Sequence, residues 1–154
     1  MSDPTTCLIC ATEDAPADSV VFRDEHWAAE VVAGYEVPGW IILRARRHAE
    51  RITALDDDEL ASLGFRARDL VAAVSEVMDA PATYLMVFGE NYPHFHVLVA
   101  PRGDDIAPER RGGDILRLRG EAADPVAAHA LVPMLRAAYA ARAPGSVPQA
   151  STSA

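Results

Sequence analysis

The sequence predicts one α+β domain, and three observations carry that reading. Short apolar runs bounded by Gly, Pro, Asn and Asp recur at residues 19–23, 27–32, 40–46, 83–88 and 93–102 and read as strands. One long stretch between the third and fourth runs, 56–78, has the three-four apolar spacing of a helix with a buried face. The strand connections are mostly short, which favours antiparallel pairing. A chain of 154 residues, half of them apolar, has enough material for a single real core. The domain is placed over 1–142, with 143–154, made of Ala, Pro, Gly, Ser, Thr, Val and Gln, as a disordered tail. There is no internal repeat.

Taken in order, residues 1–6 are expected to be loose. Cys7-Leu8-Ile9-Cys10 follows with no strand before it, and 11–18 is a polar loop. Ser19 to Arg23 and Trp27 to Val32 flank the turn Asp24-Glu25-His26 as a hairpin, with His26 solvated. Gly34-Tyr35-Glu36-Val37-Pro38-Gly39 is a dense turn signal. The next strand, 40–46, is apolar first and charged toward its end, closing in Arg46-Arg47-His48.

The helix that follows starts at Asp56, which forms a capping-box pair with Glu59, and its acidic first turn suits the positive end of the helix dipole. Leu60, Leu63, Ala67, Leu70, Val71, Val74, Val77 and Met78 line its buried face, and Asp79-Ala80-Pro81 ends it. The acidic run therefore has a complete structural explanation. Residues 83–88 and 93–102 form a hairpin across the loop 89–93. Residues 103–113 read as an exposed loop, and 114–119 as either a short strand or an arm. The Ala-rich segment 125–142 is a second amphipathic helix, with Pro125 at its start, a kink or break at Pro133 and His129 on its surface.

Composition excludes several functions. The net charge is −9, from 14 basic and 23 acidic residues, and all the basic residues are arginine. An acidic chain is a poor match for a nucleic-acid backbone, whose binding depends on neutralising phosphates. Without lysine, neither Schiff-base chemistry nor a P-loop is available. No apolar run is long enough to span a membrane, and Met-Ser-Asp-Pro-Thr-Thr lacks the features of a secretory signal, so a cytoplasmic protein without a membrane partner is expected.

The chemistry concentrates in Pro93-His94-Phe95-His96-Val97-Leu98-Val99-Ala100-Pro101-Arg102. On a strand, His94 and His96 share a face at roughly 7 Å spacing, where two imidazoles cost packing and desolvation unless something uses them. Cys7 and Cys10 are too close for an unstrained structural disulfide. They read as half of a zinc site, a thiol redox pair or buried thiols; a tetrahedral zinc needs two ligands from elsewhere.

Together these pieces resemble the histidine-triad superfamily, which carries His-φ-His-φ-His-φ-φ on a late strand, φ being apolar. The likeness covers about residues 7–112. It rests on the motif with its trailing Pro101-Arg102, the Cys7–Cys10 pair, and Pro38-Gly39-Trp40 opening a strand that ends in Arg46-Arg47-His48. The capped helix and Glu109-Arg110-Arg111-Gly112 extend it. The resemblance implies a five-stranded antiparallel sheet with one long and one C-terminal helix, a homodimer, and a purine nucleotide or dinucleotide as ligand. It implies that His96 attacks the α-phosphorus to form a nucleotidyl-imidazole, with Asn91 and His94 as residues against substrate and Arg102 as either a charge partner for phosphate or a salt bridge closing the strand. It also implies a structural zinc on Cys7, Cys10, His48 and His94.

The departure is Leu98, which stands where the family has its third histidine and offers no hydrogen bond to phosphate or leaving group. Two functions follow as expectations. One is a hydrolase or nucleotidyltransferase cleaving dinucleoside polyphosphates, phosphoramidates or adenylates. The other is a catalytically weak or silent nucleotide- and zinc-binding module.

Overall fold

The structure, a computed structural model, describes residues 3–143. Five strands form one antiparallel sheet: β1 (Val20–Arg23), β2 (Trp27–Glu30), β3 (Ile41–Ala45), β4 (Ala82–Met86) and β5 (His96–Arg102). Their spatial order is β1-β2-β3-β5-β4, so the motif strand lies inside the sheet, between β3 and the edge strand β4. Ile42 and Met86 flank Leu98 on its two sides, and Arg44 sits opposite His96.

The helices are α1 (Leu8–Ala11), α2 (Asp57–Met78), α3 (Leu118–Glu121), α4 (Pro125–Ala130) and α5 (Val132–Arg142). The α2 start is the expected capping box, with reciprocal bonds of 2.8 Å between Asp56 and Glu59. Its end is Asp79 in the left-handed conformation at φ 48°, where an Asx side chain is tolerated better than most.

Alternation along the strands gives the sheet two different faces. One carries Trp27, Ala29, Ile41, Leu43, Val97 and Val99, buried against Leu70 and Val74 of α2 and Leu135 and Tyr139 of α5. There the Phe22 and Tyr139 rings stack at 4.1 Å. The other carries Ile42, Leu98 and Ala100 in a smaller cluster with Val37, Trp40 and Ile115. At one end of that second face the N-terminal segment is tied down by ions. Buried Arg44 binds buried Glu30 through Nε at 2.9 Å and Nη2 at 2.8 Å, and reaches Glu13 at 2.7 Å. Arg46 also binds Glu13, and Arg23 reaches Glu30 at 3.0 Å.

The sequence expectations hold for the existence of the five strands, the capped start of α2 and the Pro133 break; Leu60, expected on the buried face of α2, is instead exposed, and three segments differ. First, β5 starts at His96. Pro93 has no N–H, and the His94 N–H turns back to the Tyr92 carbonyl at 2.8 Å, so both histidines are not on a regular strand. Second, 114–119 is neither strand nor arm. After Gly112 at φ 63° the chain winds into a 3-10 helix, Gly112–Arg117, and then α3, which buries Ile115 on the second face. Third, β4 stops at Met86, leaving Val87 and Phe88 exposed. In the C-terminal segment Pro133 cannot donate to the carbonyl four residues back, and the helix restarts at Val132. Residues 144–154, most of the expected tail, lie outside the described residues. No helix among the described residues is long and apolar enough to cross a membrane.

Candidate active site and metal centre

The two cysteines stand at the start of α1. Cys7 is its N-cap, and its Sγ accepts the Cys10 N–H at 3.3 Å, the geometry that turns a Cys-x-x-Cys stretch inward. His48 comes from the segment after β3, and His94 from the bend before β5. The four ligand atoms lie within 4.8 Å of one another. Cys10 Sγ is 3.2 Å from His48 Nδ1 and 3.3 Å from His94 Nδ1, and Cys7 Sγ is 3.5 Å from His94 Nδ1. In a tetrahedron with the usual zinc bond lengths, a sulfur–nitrogen edge is about 3.5 Å. The donor set fits a closed Cys₂His₂ site.

The protonation pattern suits a cation. The His94 Nε2 stands 2.6 Å from the Ala45 carbonyl, which can only accept, so Nε2 carries the proton and Nδ1 turns its lone pair toward the thiols. Burial pushes the His94 pKa down to about 4, against the pull of the Ala45 carbonyl, and nearby His48 and Arg44 lower it further. Burial also pushes the Cys10 thiol up to about 11, with Cys7 adding to the rise. A divalent ion reverses that balance by stabilising thiolate.

His96 is the first residue of β5, half-buried, with Nδ1 2.6 Å from the His94 carbonyl. The carbonyl again fixes the tautomer: Nδ1 donates, which in the neutral ring leaves the lone pair on Nε2. Buried His94, in the four-residue cluster that could hold a metal, and half-buried His96 are thus set two residues apart and joined by that hydrogen bond.

Two clefts meet at His96. One, of about 910 Å³, is mainly apolar and runs between α2 and the end of β4, past Ile52, Leu63, Leu85 and Phe88. The other, of about 340 Å³, lies on the second sheet face and is lined by Tyr35, Asn91, Tyr92, Leu98 and Arg119 as well as His96. The Tyr92 ring meets His96 edge-on at 6.3 Å, Tyr35 meets Tyr92 at 6.1 Å, and the Arg119 guanidinium lies 4.0 Å over Tyr35.

Of the residues expected to contact substrate, Asn91 is in this cleft. His94 is fully buried, with both ring nitrogens turned to the cysteines and Ala45. Arg102 is at the far end of β5, 3.8 Å from Asp104, and is not in the cleft lining. Leu98 lines the cleft floor but is 4% exposed. The sequence reading missed Tyr35, Tyr92 and Arg119. An aromatic residue directly before Pro93 and one inside the 34–39 turn were available signals for the first two; Arg119 had none.

No family model matches the chain, and no curated protein sequence matches it. Solved structures do. A Hit-like protein involved in cell-cycle regulation from Bartonella henselae is 15% identical, covering 90% of this chain and 99% of its own, at a TM-score of 0.69. A Zn-bound histidine triad family protein from Mycobacterium smegmatis is 20% identical, over 94% of this chain and 100% of its own, at 0.66. A hypothetical histidine triad nucleotide-binding protein from Sulfolobus tokodaii strain 7 is 19% identical, over 86% of this chain and 91% of its own, at 0.67. These likenesses span nearly the whole described chain and show its fold, which is the histidine-triad fold.

Proposed function

We propose that this chain of histidine-triad fold is a nucleotide-binding hydrolase or nucleotidyltransferase in which His96 is the nucleophile. The observation that carries the reading is the His96 ring itself, held by Nδ1 on the His94 carbonyl and bordering a cleft. In the proposed reaction Nε2 attacks the α-phosphorus of a purine nucleotide conjugate. A nitrogen–phosphorus bond forms, and the bond to the leaving group breaks, with the leaving group taking the electron pair and a proton from solvent, which the attacking water returns in the second step. Water or another acceptor then attacks the nucleotidyl-imidazole and restores the ring. Asn91 and the Tyr35–Tyr92 pair are the side chains proposed to meet the nucleotide.

Cys7, Cys10, His48 and His94 would hold a zinc ion, whose chemistry is structural because no coordination position stays open. Its role is to fix the N-terminal segment and, through His94, the carbonyl that orients His96. The chain is proposed to act as a homodimer in the cytoplasm.

Leu98 favours a second reading, a nucleotide-binding module with weak or no turnover. The loss of one transition-state hydrogen bond costs on the order of 10²–10³ in rate, so the two readings differ in degree. A fluorogenic adenosine phosphoramidate and diadenosine tetraphosphate separate them. Turnover abolished in His96→Asn supports the enzyme; bound nucleotide without His96-dependent turnover leaves the module.

A further inference from the structure

The 340 Å³ cleft beside His96 has to meet the negative charge of its proposed ligand. A nucleotide phosphate brings negative charge, yet the next side chain on the same strand face as His96 is Leu98, and Glu90 adds an acid to the lining. Among the described residues, the lining contains a single arginine, Arg119. In a chain of net charge −9, the surrounding field does nothing to compensate.

Arg119 reaches this place from α3 and is held there. Its Nε donates to the Gly34 carbonyl at 2.6 Å, its Nη1 to the Tyr35 hydroxyl at 3.3 Å, and its plane lies over the Tyr35 ring. Gly34 has φ 85°, a turn conformation that favours glycine, and a Cβ there would stand 3.3 Å from Arg119 Nη2. Those bonds occupy part of the fork and leave its other N–H groups for an anion. The aromatic steps Arg119–Tyr35–Tyr92–His96 span the cleft from the cation to the nucleophile.

We propose that Arg119 is the phosphate-binding cation of this site, supplying from α3 the polar contact that position 98 does not. It touches the nucleotide's phosphate oxygens while His96 attacks phosphorus, so its contribution grows as charge builds on those oxygens. The inference rests on the nucleotide reading of the cleft. The competing role is a structural latch holding the 112–121 segment to the 34–35 turn.

The test is equilibrium binding of adenosine monophosphate and of adenosine to wild type, Arg119→Met and Arg119→Lys, with thermal unfolding as a check on the fold. Arg119→Met is expected to weaken adenosine monophosphate by about 10- to 100-fold. Adenosine should change by less than about twofold, and Arg119→Lys should fall between for the phosphate ligand because it keeps the charge and loses the fork. With the phosphoramidate substrate, the same variant should lower kcat more than it raises KM. Parallel weakening of both ligands assigns Arg119 to the latch and overturns the proposal. So does unchanged adenosine monophosphate affinity in Arg119→Met while wild type binds it. A wild type that binds neither ligand overturns the nucleotide reading of the cleft, and the role of Arg119 with it.

Discussion

Replacing Glu30 with alanine should be among the most destabilising single changes in the chain. Its carboxylate is fully buried and takes the Arg44 guanidinium through two bonds of 2.8 and 2.9 Å, with a third bond from Arg23 at 3.0 Å. Arg44 is itself fully buried, and its Nη1 has no hydrogen-bond partner among the described residues. Glu30→Ala leaves that cation with Glu13 alone, whose side chain is 36% exposed. Stranding one member of a buried ion pair costs about 3–5 kcal/mol. For a chain of this size that corresponds to a melting point lower by about 6–20 °C. The double variant Glu30→Leu with Arg44→Met removes both charges and should recover most of the loss. Urea unfolding of the three proteins at one fixed metal content measures this, since bound metal shifts apparent stability. A Glu30→Ala protein within about 1 kcal/mol of wild type, or a double variant at least as unstable as Glu30→Ala, would refute the burial argument.

The Glu13 carboxyl has a pH signature. Burial pushes its pKa up, but hydrogen bonds from Arg46 and Arg44 outweigh that and hold it at about 2, below its ordinary 4.5. A depressed carboxylate contributes stability above its unfolded pKa and loses it as pH falls through the folded one. Wild type should therefore lose that contribution between about pH 4.5 and 2, and Glu13→Gln should have a flatter acid limb in urea unfolding over the same window. An identical limb in the variant would exclude the Arg44–Arg46 clamp as its origin. Protein purified without chelator should contain close to one zinc per chain by elemental analysis, and Cys7→Ala should abolish it; full retention would contradict the ligand set. Tyr139→Ala removes a ring stacked on Phe22 in the core and should cost about 3–5 kcal/mol in the same urea assay, whereas a loss under 1 kcal/mol would mean the site collapses around the gap.

The parts of the fold legible in the sequence were those set by local physics. Short apolar runs between turn residues located the five strands, and the Asp56–Glu59 box located the α2 start within one residue of Asp57. The gathering of Cys7, Cys10, His48 and His94 came through the resemblance rather than through spacing, and the structure places the four together. The start of β5 was misplaced because composition at Pro93–His94 reads as strand, while the missing proline N–H and the backward bond to Tyr92 act only in three dimensions. The segment 114–119 has apolar residues at Ile115, Leu116 and Leu118, a pattern that does not distinguish a strand from tight turns. Arg119 was invisible for a different reason. Its position depends on a return of the chain to Gly34 and Tyr35, 85 and 84 residues earlier, and no local period encodes a contact of that range.

The four-ligand cluster also decides how the N-terminal segment opens. Cys10 lies 38 residues before His48 and 84 before His94, so a bound ion would staple the N-terminal segment to the adjoining ends of β3 and β5. Glu13 and the short helix beside it then cannot detach separately from the motif strand. With metal bound, backbone amides of residues 8–14 should exchange with deuterium only through the opening that also frees β3 and β5; after chelation they should exchange by local fraying. The same staple would make the orientation of the His96 ring depend on whether residues 7–10 are docked, which would couple the N-terminal segment to a strand inside the sheet.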